Sequence, residues 1–114
     1  MNIYRDIATF FNEKGIENYS ITQHQGKCLR PFVIIEDGGE QKEKGYTIKI
    51  KNIDIVVVYP VGKYSELEDY VYHVIDTMKD YTRATFSENI SDVMIDTDKD
   101  AYVVSLEYKI YKGI

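Results

Sequence analysis

Between Ile53 and Tyr81 the pattern changes from a β-branched run, through a turn, to apolar positions of helical period. Residues 55–59 (IVVVY) form a short continuous apolar run bounded by a turn signal, which predicts a strand covered on both faces. Pro60 has no N–H for a ladder and Gly62 tolerates φ > 0, so the strand is expected to stop here. Beyond it Leu67, Tyr70, Val71, Val74, Ile75 and Met78 repeat at i, i+3, i+4, i+7, i+8 and i+11. That stripe predicts a helix over about 65–81 lying on a sheet, with Glu66, Asp69, His73, Asp76, Thr77 and Asp80 on its wet side. Ser65 followed by Glu68 has the form of a capping box at the helix start.

Before this unit, residues 3–14 carry Ile3, Ile7, Phe10 and Phe11 on one stripe, predicting a first helix capped by Asn2 and stopped at Gly15. Residues 16–25 alternate loosely and suggest a connection or a weak edge strand, with His24 solvated. After Pro31, residues 32–36 (FVIIE) read as a second buried strand. Asp37-Gly38-Gly39 is a turn signal, and the nearly all-charged 40–45 is expected to be a mobile loop or the tip of a long hairpin returning over 46–59. Ile48 and Ile50 share one face of that return, whereas Ile53, Ile55 and Val57 share the other. The change of parity at Lys51-Asn52 predicts a β-bulge, or an arm that leaves the sheet and needs its apolar face covered by a neighbour. Glu40, Lys42, Glu43, Lys44, Tyr46, Ile48 and Ile50 are therefore the candidate subunit or partner contacts.

Residues 82–92 look irregular, 93–95 a short strand and 96–100 a hairpin turn. The closing strand, 101–112, alternates, with Tyr102, Val104, Leu106, Tyr108 and Ile110 opposed to Ser105, Glu107 and Lys109. The expected fold is a single α+β domain over 1–114. It has a mixed, mainly antiparallel sheet, two main helices (about 3–14 and 65–81) packed against it, and a long β-hairpin arm.

Composition narrows the function. With 114 residues, 44% hydrophobic and 29% charged, the chain can bury a core without disulfides or metal. No run approaches the ~18 apolar residues of a membrane span and the first residues lack the order of a signal peptide, so no membrane and a cytoplasmic site of synthesis are expected. A net charge of −5 argues against gripping nucleic-acid phosphates. Cys28, the one cysteine, has no partner for a disulfide or metal set and reads as a small residue leading into a strand. Asp96, Asp98, Asp100 and Glu107 fall at positions 1, 3, 5 and 12 of a calcium loop, but Ala101 replaces the required glycine and no helix precedes it. His73 stands among Asp69, Asp76 and Asp80 with no nucleophile, phosphate loop or second histidine. Eleven tyrosines without interleaved cations suit core edges and protein interfaces better than base stacking. No enzyme, cofactor or metal is expected.

Three stretches add a resemblance: LRPFVIIEDGG at 29–39, IVVVYPVGKYSELEDYVYHVIDTMKDY at 55–81 and SDVMIDTDKDAYVVSLEYKIYK at 91–112. In order they resemble the strand, KYS-x-LE helix start and closing strand after an acidic turn of the tail-terminator (tail-completion) proteins of tailed bacteriophages and phage-tail-like particles. The resemblance implies a virion protein, made in the host cytoplasm, that forms a hexameric ring on the last ring of tail-tube protein. The ring ends polymerisation and presents a surface to neck or head-completion proteins at the head–tail joint. DNA would pass through the lumen without specific binding. The alternative from the same class is a head–tail connector or a tail-tube-like subunit. A monomeric binding or regulatory domain stands third, an enzyme fourth.

Overall fold

The computed structural model describes residues 2–42, 48–62 and 64–113. In chain order the elements are α1 (Ile3–Glu13), β1 (Asn18–Ser20), β2 (Phe32–Lys42), β3 (Ile48–Pro60), α2 (Tyr64–Met78), β4 (Thr85–Ile90), β5 (Met94–Asp96) and β6 (Ala101–Gly113). The strands form one sheet in the order β1-β2-β3-β6-β4, and β5 also pairs with β6. Among the described strands only β1 runs parallel to its neighbour; the other pairs are antiparallel. This is an α+β fold built on a mixed, mostly antiparallel sheet.

Local signals explain both helices. Asn2 Oδ1 accepts the Arg5 N–H at 3.1 Å, capping α1, and Gly15 at φ 75° supplies the left-handed residue after its last turn. α2 begins at Tyr64, so Ser65 sits inside the first turn and the capping box expected there is not the helix start. It ends at Met78, and Tyr81 follows as a buried side chain whose hydroxyl donates to Asp6 Oδ2 at 2.6 Å, tying the end of α2 to α1.

Alternation along β3 divides the molecule into two layers. In register, Val57, Ile55 and Ile53 of β3 stand beside Val104, Leu106 and Tyr108 of β6, with Val33 and Ile35 of β2 on the other side. Ile7 and Phe11 of α1 and Leu67, Val71, Val74 and Met78 of α2 close over these rows as the main core. Each such aliphatic side chain contributes on the order of 2 kcal/mol when fully buried. On the opposite face Phe32, Val56, Val58 and Ala101 form a smaller cluster with Cys28. The segment between β1 and β2 covers it: Cys28 N–H donates to the Lys99 carbonyl at 2.7 Å, and the His24 ring stacks on Phe32 with centroids 4.2 Å apart.

Several expectations change. Asp37-Gly38-Gly39 makes no turn, because β2 continues through it to Lys42. The bulge lies there, between Asp37 and Gly39, and not at Lys51-Asn52 in β3, which stays in unbroken register with β6 from Ile48 to Pro60. Gly38 is the extra residue, and a Cβ on it would stand 2.9 Å from the Asn52 Cβ. The outer half of the hairpin therefore does not leave the sheet: it is the middle of a three-stranded ribbon, with β6 alongside as far as Gly113. The region 82–92, expected to be irregular, contains β4, and 16–25 contains the parallel edge strand β1. His24 is half-buried against Phe32 instead of solvated, because Lys99 closes over it with Nζ 3.0 Å from Nδ1.

Candidate assembly surfaces

Of the contact residues expected from sequence, Glu43, Lys44 and Tyr46 lie outside the described residues. The backbones of Glu40 and Lys42 continue β2, opposite Lys51 and Lys49, and Ile48 opens β3 opposite Gly113. Ile50 is 5% exposed, so at its register the free apolar surface belongs to its cross-strand neighbour Tyr111, 56% exposed. Lys51 turns to the helix side, where its Nζ lies 5.2 Å from the centroid of the Tyr4 ring and 3.7 Å from Asp37 Oδ2. Lys49 remains exposed. Among the described side chains at this end, Lys49 and Tyr111 are thus the exposed ones.

A second surface escaped the sequence reading. An open groove of about 240 Å³ runs between α2 and the chain following β4, lined by Tyr64, Leu67, Glu68, Val71, Tyr72 and, opposite, Ile90, Ser91, Val93 and Val104. Tyr64, Tyr72, Ile90 and Val93 are exposed there, and Met94 and Ile95 beside them are 66% and 63% exposed. A concentration of exposed apolar side chains on one edge marks a docking surface more than scattered ones do. The available signal was Tyr72, an aromatic off the apolar stripe of α2, together with Val93-Met94-Ile95 in a strand too short to bury them.

Across the sheet face away from the helices, Glu36, Asp54 and Glu107 stand directly opposite one another on β2, β3 and β6. Burial, and then Asp54, raises the Glu36 carboxyl above its ordinary value; burial, and then Glu107 and Asp37, does the same to Asp54. Towards the covered end, the Tyr19 hydroxyl donates to Glu17 at 2.6 Å and Arg30 pairs with the same carboxylate. The Tyr19 hydrogen bond is the leading cause of the lowered Glu17 value. Burial, followed by the Lys99 charge, lowers His24 and favours its neutral ring. Burial pushes the Cys28 thiol up, away from the thiolate a nucleophile needs.

Two carboxylates of the acidic turn serve local structure. Asp96 Oδ1 accepts the N–H groups of Asp98 and Lys99 at 3.0 and 3.2 Å, and Asp100 pairs with Lys27 at 2.7 Å. Glu107 lies on β6, where Asn89 Nδ2 donates to it at 3.4 Å. Among the described residues no group of three or more His, Cys, Asp or Glu side chains is arranged to hold a metal ion, and no helix is long and apolar enough to cross a membrane. No protein-family model matches the chain, and neither does any curated protein.

Proposed function

We propose that this chain is a structural virion subunit of the tail-terminator type, forming a ring that caps the tail tube, ends its growth and joins the tail to the neck. The observation that carries the reading is spatial. The stretches with the resemblance, 29–39, 55–81 and 91–112, become β2, β3 with α2, and β5 with β6, and β2, β3 and β6 lie side by side in one sheet. Two further features support it. The molecule measures 48 × 28 × 25 Å, an elongated subunit. It also carries two dissimilar surfaces, the ribbon end and the α2 groove, as heterologous contacts around a ring require. In this reading the chain is not an enzyme: its partners are further copies of itself, a tail-tube protein and a neck or head-completion protein.

Light scattering across a concentration series, with electron microscopy of the same samples and of samples mixed with tail tubes, tests the proposal. Closed rings, or single rings on tube ends, are expected. Open tubes grown from this protein alone would replace the reading with that of a tube subunit. Failure both to close and to cap would overturn it.

A further inference from the structure

On the face without helices, residues 21–31 run from β1 to β2 as a strap over Phe32, Val58 and Ala101, with Cys28 turned inward beneath it. Lys27–Asp100 and Arg30–Glu17 pair at its margins, but their cations are exposed and such pairs hold weakly. Its stronger ties converge on Lys99. The Lys99 carbonyl accepts the Cys28 N–H at 2.7 Å, and Nζ donates to the His24 carbonyl at 3.1 Å while lying 3.0 Å from His24 Nδ1. An ammonium only donates, so Nδ1 accepts, which leaves the ring neutral with its proton on Nε2. The groups around that ring are Lys99 from the turn before β6, Phe32 of β2 stacked at 4.2 Å, the Tyr19 ring of β1 edge-on at 5.0 Å, and the Glu17 and Arg30 charges beyond.

We infer that the strap is an acid-released cover, with His24 as its trigger and the cluster of Phe32, Val58 and Ala101 as what it bares. Protonating His24 removes the lone pair of Nδ1 and sets a second cation 3.0 Å from the Lys99 ammonium. Either the ring or the lysine then has to leave. Each movement undoes a tie: the ring loses its stacking on Phe32, the lysine its bond to the His24 carbonyl. The Glu17 charge does not rescue the charged ring, because Arg30 and the Tyr19 hydroxyl already hold that carboxylate. Burial, then Lys99, accordingly keeps His24 below its ordinary 6.5. In the open strap the ring takes up a proton at its ordinary value, so the cover is at full strength above about 6.5 and weakens as pH falls below it. Release joins Phe32 and Val58 to the partly buried Ile34 and Val103 as one apolar strip beside the carboxylate row. The cover belongs to a single copy and does not depend on the ring.

Cys28, the one cysteine and buried under the strap, reports the opening. Its rate with a pyridyl disulfide is divided by that of a cysteine peptide at the same pH, so that the ratio reads the open fraction. Between about pH 8 and about pH 5 the ratio is expected to rise as pH falls, by up to about tenfold for each unit below 6.5. Glu17, held below its ordinary 4.5, keeps its charge over that range. Amide protection in the β3–β6 ladder is expected to stay constant, and the His24 ring to titrate below 6.5 in NMR spectra of the unaltered chain. His24→Phe, which keeps a ring on Phe32 with no proton to gain, should make the ratio independent of pH, as should His24→Gln. Lys99→Met should flatten the profile in part, since burial of the ring remains. Circular dichroism checks that each variant is folded. A ratio that does not rise overturns the inference, and so does an ordinary His24 midpoint or a rise that persists in both His24 variants. A rise accompanied by lost β3–β6 protection means that the whole sheet opens, and overturns the strap as a separate cover.

Discussion

Ile55 and Asp54 are adjacent on β3 and sit in opposite worlds. Ile55, fully buried, faces Ile35 and Leu106 beneath the helices, next to the equally apolar row of Val33, Val57 and Val104. Asp54 faces Glu36 and Glu107 on the side no helix covers. Along that second face the rows grade from Phe32, Val58 and Val103, through Ile34, Val56 and Ser105, to the three carboxylates. Two-residue alternation thus gives one strand a stabilising face and a face whose middle opposes folding, since like charges directly across a ladder repel. The covered face holds the fold together; the other keeps its sequence free for a different purpose.

Substitutions can break or sharpen this contrast. Ile55→Ala should cost about 3 kcal/mol in denaturant unfolding, because its site is closed on all sides and collapses poorly. A cost under about 1 kcal/mol would show that the helices do not seal this face. Gly38→Ala should cost about 2 kcal/mol through overpacking against Asn52 and local distortion of the ribbon. The loss should appear as weakened amide protection in the β2–β3 ladder around the bulge. Tyr81→Phe should cost about 1.5 kcal/mol, since it removes a partly buried hydrogen bond to the Asp6 carboxylate. Retained stability in this variant would show that this hydrogen bond does not fasten α1 to the chain after α2.

The smallest effect has the opposite sign. Asp54→Asn should stabilise the protein by about 0.5 kcal/mol at neutral pH, by removing a partly buried charge and with it two like-charge pairs. The sign follows from linkage. Glu36 and Asp54 have folded-state values raised above their ordinary 4.5 and 3.8, so between the ordinary and raised values the folded state holds more protons than the unfolded one. Their contribution is most favourable below the ordinary values and is lost as pH rises through the raised ones. The gain from Asp54→Asn should accordingly shrink as the pH of the unfolding measurement falls towards 4. A gain that stays constant with pH would mean that the Asp54 charge is not its source.

Sequence patterns carried the helices and the central strands because those elements bury one clean stripe or row. The i, i+3, i+4 positions of α2 and the alternation of β6 both stand in the core as expected. Gly38-Gly39 misled because two glycines suit a bulge as well as a turn, and only pairing across to Asn52 distinguishes them. β4 was illegible because it is an edge strand with a shift in its ladder between Phe86 and Ile90, leaving no regular alternation. The groove was hidden for a related reason: Tyr72 and Ile90 are eighteen positions apart, and no local pattern reveals that α2 and β4 approach one another.

The position of β6 bears on how the molecule comes into being. It is the last of the described elements in chain order, yet it pairs with β3, β4 and β5 at once. Until it emerges from the ribosome, one whole edge of β3 has no partner, and its run Ile55–Val58 lies along that bare edge. Pairings this distant in sequence form slowly, and an unpaired apolar edge invites strands from other molecules. Nascent copies on one message are therefore at their most adhesive until β6 is free to pair, and fewer copies made at a time or a holding chaperone should raise the yield of folded subunits more than lowered temperature alone.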